Sequence, residues 1–366
     1  MQGNLSYRHE TWLRFKKNKT ALAGMVVIIL VVVLAIAGYL IAPDNTPYAD
    51  LQTVEIQAKK PGYRQQFLTI PGNISGHTSL LQHLFEGTPS KYRYIPIKGY
   101  TINGNQILVN KLVDEDTAVV QQYDIRVITQ GDPSRLKQLI VTKTFLLGTD
   151  GFGRDILSRL IIGTRVSLAV GFIAVLVSLL LGVILGALAG YYRGWVDDII
   201  MWFINVTWSI PTLLLVFAIT MALGKGFWQI FIAVGLTMWV SVARLVRGQV
   251  MAIRELEYIQ AARAMGFTNS RIIVKHILPN MTGPLMVIAA GNFATAIIIE
   301  AGLSFLGVGV QPPQPSWGLM IKENYHFIIT NNPFLALAPG FAIMLLVLSF
   351  NLLGNGLRDA VDVKND

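Results

Sequence analysis

Apolar residues run without a charge from Ala21 to Ala42. A helix needs about 20 such residues to cross a hydrocarbon core about 30 Å thick. Five more runs follow, at roughly Ser167–Gly190, Ile199–Leu223, Phe227–Ala243, Pro284–Leu306 and Phe334–Leu353. They are too long and continuous for barrel strands, which leaves the helix as the structure that satisfies its own backbone in lipid. Six transmembrane helices are therefore expected in an all-α polytopic membrane protein. The first run exceeds a signal-peptide core and no small-x-small cleavage site follows it, so it is read as a retained span. Between the first two runs the pattern changes to short alternating stretches. Tyr100–Ile102 and Gln106–Val109 flank an Asn103-Gly104 turn signal, Gln122–Thr129 and Leu139–Phe145 also read as strands, and Ser79–Glu86 reads as a short helix. That predicts a small α+β domain inserted at residues 43–147, the alternative being a solvated loop.

Composition agrees with the pattern. Of the 366 residues 53% are hydrophobic and 14% charged, with mean hydropathy +0.51, against about 25% charged in a soluble domain. An ordinary soluble enzyme is excluded. The net charge of +9 matters less than its placement. Arg8, Arg14, Lys16, Lys17 and Lys19 precede the first run, and Arg244, Arg247, Arg254, Arg263, Arg271 and Lys275 lie between the fourth and fifth. Basic residues near span ends mark the cytoplasmic side, and with six spans both groups fall on one side. Both termini are then cytoplasmic. Residues 43–166, the Gly224–Gly226 turn and the Val308–Pro333 loop are outside. The expected organisation is a basic tail and first helix at 1–42, an extracytoplasmic insertion at 43–147, and a core at 148–366 with five helices and a cytoplasmic loop at 244–283.

Several residues inside or beside the spans stand out. Gly182, Gly186 and Gly190 share one helix face and would let another helix approach closely. Pro211 follows Ser209 in the third run, with Asn205 one turn earlier, so a kink beside polar groups is expected. The kink suits either a gate or a purely structural bend. Glu300 in the fifth run is costly in lipid and is a pathway candidate by default, or a satisfied structural hydrogen bond; Asn292 lies near the same face. Asp150, Arg154, Asp155 and Arg159 have helical spacing, which predicts an amphipathic helix on the outer surface before the second span, serving as brace or gate.

No catalytic constellation is visible. With no cysteine, disulfides, thiolate metal sites and cysteine nucleophiles are excluded. There is no phosphate-cradling loop, since Gly224-Lys225-Gly226 lacks the hydroxyl residue, and no nucleophile elbow. His9, His77, His83, His276 and His326 have no metal-ligand spacing; His77 and His83 read as a solvated pair. The chain is expected to bind no metal or cofactor and to draw any pumping energy from another chain or an ion gradient. The informative segment is cytoplasmic. Glu255–Met265 is rich in helix formers and ends at Gly266, and a second amphipathic run, Asn269–Leu278, stops at Pro279. Two short helices around a bend make a docking element for a partner groove. The residues alone equally allow a helix pair lying on anionic lipid.

Gln260-Ala261-Ala262, three residues, Gly266, nine residues, then His276-Ile277-Leu278-Pro279 resembles the EAA loop of bacterial ABC importer permeases. Gln260 stands where Glu is usual, and His276 where Ile is usual. The resemblance narrows to the dipeptide/oligopeptide subfamily through Gly148-Thr149-Asp150-Gly151-Phe152-Gly153-Arg154-Asp155, Ser158-Arg159, Gly163, Arg165-Val166-Ser167-Leu168, Leu303-Ser304-Phe305-Leu306-Gly307 and Pro315-Ser316-Trp317-Gly318. It covers most of residues 148–359 and is similar to the second of the two permease subunits. Trp202 and Asn205 replace a usual Arg and Asp, so both partners of an ion pair are absent together. The resemblance implies a six-helix permease of the type I importer kind in the bacterial inner membrane. It implies that Gln260, Ala261, Ala262, Gly266, Leu278 and Pro279 couple to a cytoplasmic ATPase. It further implies two ATPase subunits carrying ATP and Mg, a homologous second permease subunit, an extracytoplasmic binding protein and a peptide substrate. The chain itself would be a transport subunit rather than an enzyme.

Two other readings stay open at this point. A self-sufficient secondary transporter should show paired broken helices in two halves, and one interruption, at Pro211, is visible. A membrane scaffold or sensor should lack intramembrane polar residues such as Asn205, Asn292 and Glu300.

Overall fold

The computed structural model describes residues 7–72, 79–114, 117–224, 226–330 and 332–361. His77 and Lys225, and the side chains of Arg8 and His9, lie outside that description. In chain order the helices are α1 (Tyr7–Lys17), α2 (Lys19–Ile41), α3 (Leu80–Glu86), α4 (Ile125–Ile128), α5 (Leu136–Leu139), α6 (Ile156–Tyr192), α7 (Gly194–Ser209), α8 (Thr212–Leu223), α9 (Phe227–Arg254), α10 (Glu257–Ala264), α11 (Asn269–Ile272), α12 (Thr282–Phe305), α13 (Trp317–Asn324) and α14 (Phe334–Val361). The strands are β1 (Tyr63–Pro71), β2 (Tyr92–Asn103), β3 (Gln106–Leu112), β4 (Ala118–Asp124) and β5 (Ile140–Phe145). The chain forms two compact units. One takes the residues up to Val32, Ser167–Gln311 and those from Phe341 on; the other takes Val33–Val166 and Pro312–Gly340.

Among the described residues, five helical stretches are long and apolar enough to span a membrane: α2, α6, α9, the run Asn269–Phe305 and α14. A sixth span exists only if α7 and α8 count as one, and these are bent by 98°. The expected kinked helix over Ile199–Leu223 is thus two helices. Ile210 is extended, at φ −99° and ψ 130°, because the ring of a following proline disfavours the helical region. Pro211 then opens α8 as its N-cap. A second correction concerns Pro279, which does not stop its helix. The segment widens into a π-turn over Ile273–Ile277 and tightens over Leu278–Met281 before entering α12. Pro279 falls at the start of the tight segment, where its missing N–H breaks no ladder bond.

The glycine face of α6 packs on α9. A Cβ on Gly182 would lie 2.5 Å from Val242 Cβ, and one on Gly190 would lie 2.7 Å from the Arg247 carbonyl oxygen. Gly235 extends the contact from the α9 side, 2.6 Å from Val177 Cβ. Backbones this close gain dispersion contacts that any side chain would forfeit.

In the other unit the five strands form an antiparallel sheet in the order β4-β3-β2-β1-β5. The period-two rule sends adjacent residues to opposite faces. Leu68 joins Ile95, Ile97, Ile107 and Val109 under α4 and α5, while its neighbour Phe67 packs with Ile56, Leu112 and Phe145. The β2–β3 hairpin turns at Gly104-Asn105, one residue later than the sequence signal, since Asn103 still pairs with Gln106. Gly104 supplies the positive φ, +61°. The expected strand Gln122–Thr129 is half right. β4 ends at Asp124, whose carboxylate accepts from the Arg126 N–H at 2.8 Å and starts α4. Capping by a short acidic side chain outweighs the β propensity of Ile125 and Val127.

Candidate functional site

The docking candidate is a hairpin built by backbone chemistry. α10 ends in a Schellman motif: the Gly266 N–H bonds the Arg263 carbonyl at 3.0 Å and the Phe267 N–H bonds the Ala262 carbonyl at 3.2 Å. That closure needs a left-handed residue, and Gly266 has φ +77°. The inner face of the hairpin is buried. Ile259, Ala262, Ile272, Ile273, Ile277 and Met281 form one cluster with Val242, Val246 and Val250 of α9 and with Ala187 and Tyr191 of α6. Tyr191 also donates its hydroxyl to Asn269 Oδ1 at 2.8 Å, its carbonyl accepts from Arg254, and the Arg263 guanidinium stands 5.5 Å from its ring.

Of the six motif residues, Ala262 is buried, Leu278 half-buried, and Gln260, Ala261, Gly266 and Pro279 are exposed. Gln260 turns back to the Glu255 carbonyl at 3.0 Å. Met265 protrudes beside them, 67% exposed. The hairpin thus presents Gln260, Ala261, Arg263 and Met265 outward from a buried apolar base.

The pathway candidates fall into two sets. Asn205, Ser209 and Pro211 are exposed around the α7–α8 break. Asn205 accepts from Arg244 at 3.2 Å, and that guanidinium stacks on Trp208 at 3.6 Å. Asn292 and Glu300 are buried in α12. Glu300 accepts from the Ser304 hydroxyl at 2.7 Å, and Ser304 Oγ accepts from the Val310 N–H at 3.0 Å. Asn292 Nδ2 is buried without a hydrogen-bond partner among the described residues. Glu300 therefore holds the end of α12 through Ser304.

Asp150, Arg154, Asp155 and Arg159 do not form a surface helix, which corrects the expectation. All four are buried, and α6 begins only at Ile156. Arg154 bonds Asp150 at 2.7 Å, Asp50 at 3.1 Å and Glu323 at 2.6 Å, and Arg159 reaches Glu323 at 3.2 Å. Asp155 pairs with neither arginine; it caps α6 through the Ser158 N–H at 2.9 Å. Burial opposes the Arg154 charge, but Asp150 and Glu323 outweigh it and hold the guanidinium above its ordinary value. Burial lifts the Asp155 carboxyl above its ordinary value, against the pull of Ser158. The spacing of the four residues misled because acidic partners far along the chain, Asp50 and Glu323, complete the network.

Two arginines named above only for their charge or motif make contacts that the sequence did not suggest. Arg247 grips Asp197 with two parallel bonds, one of them 2.6 Å, tying α9 to the first turn of α7. Arg165 donates to the Ala35, Ile36, Leu84 and Phe85 carbonyls at 2.6, 2.9, 2.7 and 3.1 Å. It thereby caps α3 against α2. The available signal was that each arginine lies within or beside an apolar run.

Residues 182–364 match the family described as binding-protein-dependent transport system inner membrane component. Residues 6–61 match the N-terminal TM domain of oligopeptide transport permease C. The dipeptide transport system permease protein of Alkalihalophilus pseudofirmus is 46% identical over 217 residues, 59% of this chain and 71% of that protein. The glutathione transport system permease protein of Pectobacterium atrosepticum is 45% identical, over 60% of this chain and 72% of that one. A solved structure of the inward-facing MetNI methionine ABC transporter resembles 55% of this chain and 97% of its own, with TM-score 0.44 and 20% identity.

Proposed function

The chain belongs to the family of binding-protein-dependent transport system inner membrane components, and on that premise we propose that it is the second permease subunit of a type I importer for di- or oligopeptides. The family is one of transport subunits, whose ATP hydrolysis lies on separate chains. The observation that carries the reading is the exposed hairpin, capped at Gly266 and seated on a buried apolar cluster. A coupling element must transmit displacement. A knob anchored through Ile259 and Ile272 to α9, and through Tyr191 to α6, moves those helices when it is moved.

Gln260, Ala261, Ala262, Gly266, Leu278 and Pro279 would dock in a groove of an ATPase subunit on the cytoplasmic side. Two such ATPases, binding ATP and Mg, would close and rock this chain against a homologous permease. The substrate is read from the relatives, one named for dipeptides and one for glutathione, a tripeptide. The sheet-bearing segment within 43–147 would lie outside the cell, where a binding protein delivers the peptide. Asn205, Ser209, Pro211, Asn292 and Glu300 are proposed to line or gate the path. The buried cluster of Asp150, Arg154 and Arg159, with Asp155 capping α6, would brace the outer end.

Because the chain has no cysteine, single replacements are clean probes. Arg263→Cys should react with a membrane-impermeant maleimide in inverted vesicles and not in intact cells. Ala261→Cys should cross-link to a co-expressed ATPase. Labelling of position 263 from outside the cell would invert the topology and overturn the reading. The reconstituted complex with its binding protein should raise ATP hydrolysis with a peptide panel and not with free sugars.

A further inference from the structure

An apolar groove of about 940 Å³ lies between the N-terminal helix and the membrane helices of the same unit. One wall is Trp12 and Phe15 of α1. The other is the start of α12, Pro284 to Ala289, with Leu353 and Leu357 of α14. Pro279 and Asn280, the last turn of the docking hairpin, also line it.

Phe15 anchors α1 there. Phe15 is buried against Ala21 and Ala360, with Met25, Leu353 and Leu357 around it. Trp12 stacks on Phe15 at 5.7 Å yet stays 45% exposed. The Lys16 ammonium sits over the Trp12 ring, 5.2 Å from its centre, so a positive charge stands on the lip of the groove. Lys17 and Lys19 are exposed as well. The carboxylate at this end, Asp359, accepts from Asn18 at 3.2 Å.

An apolar trough in a membrane protein, edged by an indole and by a lysine, matches one partner in both halves. The trough takes a hydrocarbon chain, the indole takes the interfacial level and the lysine takes a phosphate. We infer that this groove is a binding site for an anionic phospholipid, with an acyl chain along Phe15, Leu285 and Leu357 and the headgroup phosphate at Lys16. The site goes beyond the transport reading and needs only that the chain resides in a membrane. Since Pro279 lines the groove, the bound chain touches the segment that joins the docking hairpin to α12.

The test uses the full transport complex in phosphatidylcholine nanodiscs doped with brominated-chain lipid, which quenches nearby indoles. The Trp12 signal is the wild-type fluorescence minus that of Trp12→Phe. Brominated phosphatidylglycerol should quench Trp12 at a mole fraction at least about fivefold lower than brominated phosphatidylcholine, the worth of one lysine near an anionic surface. Lys16→Gln should bring the two lipids to parity. Ala289→Phe, which fills the trough, should lower quenching by both. Size-exclusion of each complex checks assembly, and quenching of the remaining tryptophans checks insertion. Equal quenching by the two lipids overturns the proposal, as does absence of Trp12 quenching by either, which would show a protein surface covering the groove.

Discussion

Replacing Gly266 tests whether backbone geometry, rather than side-chain chemistry, builds the docking knob. At φ +77° an L-residue costs about 1–2 kcal/mol, and a β-branched one costs more than alanine, while asparagine tolerates the region best. A Cβ at this position meets no atom within 4 Å, so no clash adds to that cost. The strain has one local outlet. Opening the Schellman bonds from Gly266 and Phe267 lets the residue return to negative φ and lets α10 fray. If docking requires the closed hairpin, the strain appears in ATPase affinity. One to two kcal/mol corresponds to a weakening of roughly 5- to 30-fold. The expected order of affinity is Gly, then Asn, then Ala, then Val. The assay is binding of the purified ATPase subunit to immobilised permease in detergent, with circular dichroism confirming that the membrane helices persist. Wild-type binding by Gly266→Val would refute the docking assignment. Equal losses for Asn and Val would show that the exposed surface at 266, and not its backbone conformation, is what the partner reads.

Other perturbations follow from the same structure. Gly182→Val should destabilise by about 1–3 kcal/mol or more through overpacking against Val242, read as a lower thermal midpoint in detergent; Gly248→Ala, where nothing lies within 4 Å, should be neutral or slightly stabilising. Arg154→Met should destabilise, but by less than the about 3–5 kcal/mol of a buried charge left alone, because Asp150 and the half-buried Glu323 lose their shorter ion pairs and keep Arg159, and the same assay checks it. Asp155→Asn should keep the α6 cap while removing a pH response. With the folded carboxyl raised, the folded chain holds a proton that the unfolded chain has released. Wild-type stability should therefore rise relative to the variant as pH falls from the raised folded value to the ordinary carboxylate range, and a zero difference across that window would contradict the burial argument.

What was legible in the chain was whatever depends on composition and local period. Five of the six apolar runs appear as single membrane-length helices because about twenty uncharged residues leave no other structure in lipid. The glycines at 182, 186 and 190 announced a close helix contact because their spacing puts them on one face, whatever the partner. Gly266 announced its turn because a left-handed cap needs no information from elsewhere in the chain.

Tertiary structure decided where local signals tie or where partners lie far apart in sequence. Nothing near Pro211 says whether a proline bends a helix slightly or breaks it by 98°, since that depends on what packs on either side. Pro279 looked like a stop because the π-turn before it has no sequence mark. Asp150, Arg154, Asp155 and Arg159 looked like one stripe of a surface helix, yet Arg154 is also paired with Asp50 and Glu323, 104 and 169 residues away. The groove beside Trp12 is the same case: α1, α12 and α14 each show only an apolar face, and a cavity exists only once three such faces fail to close on one another.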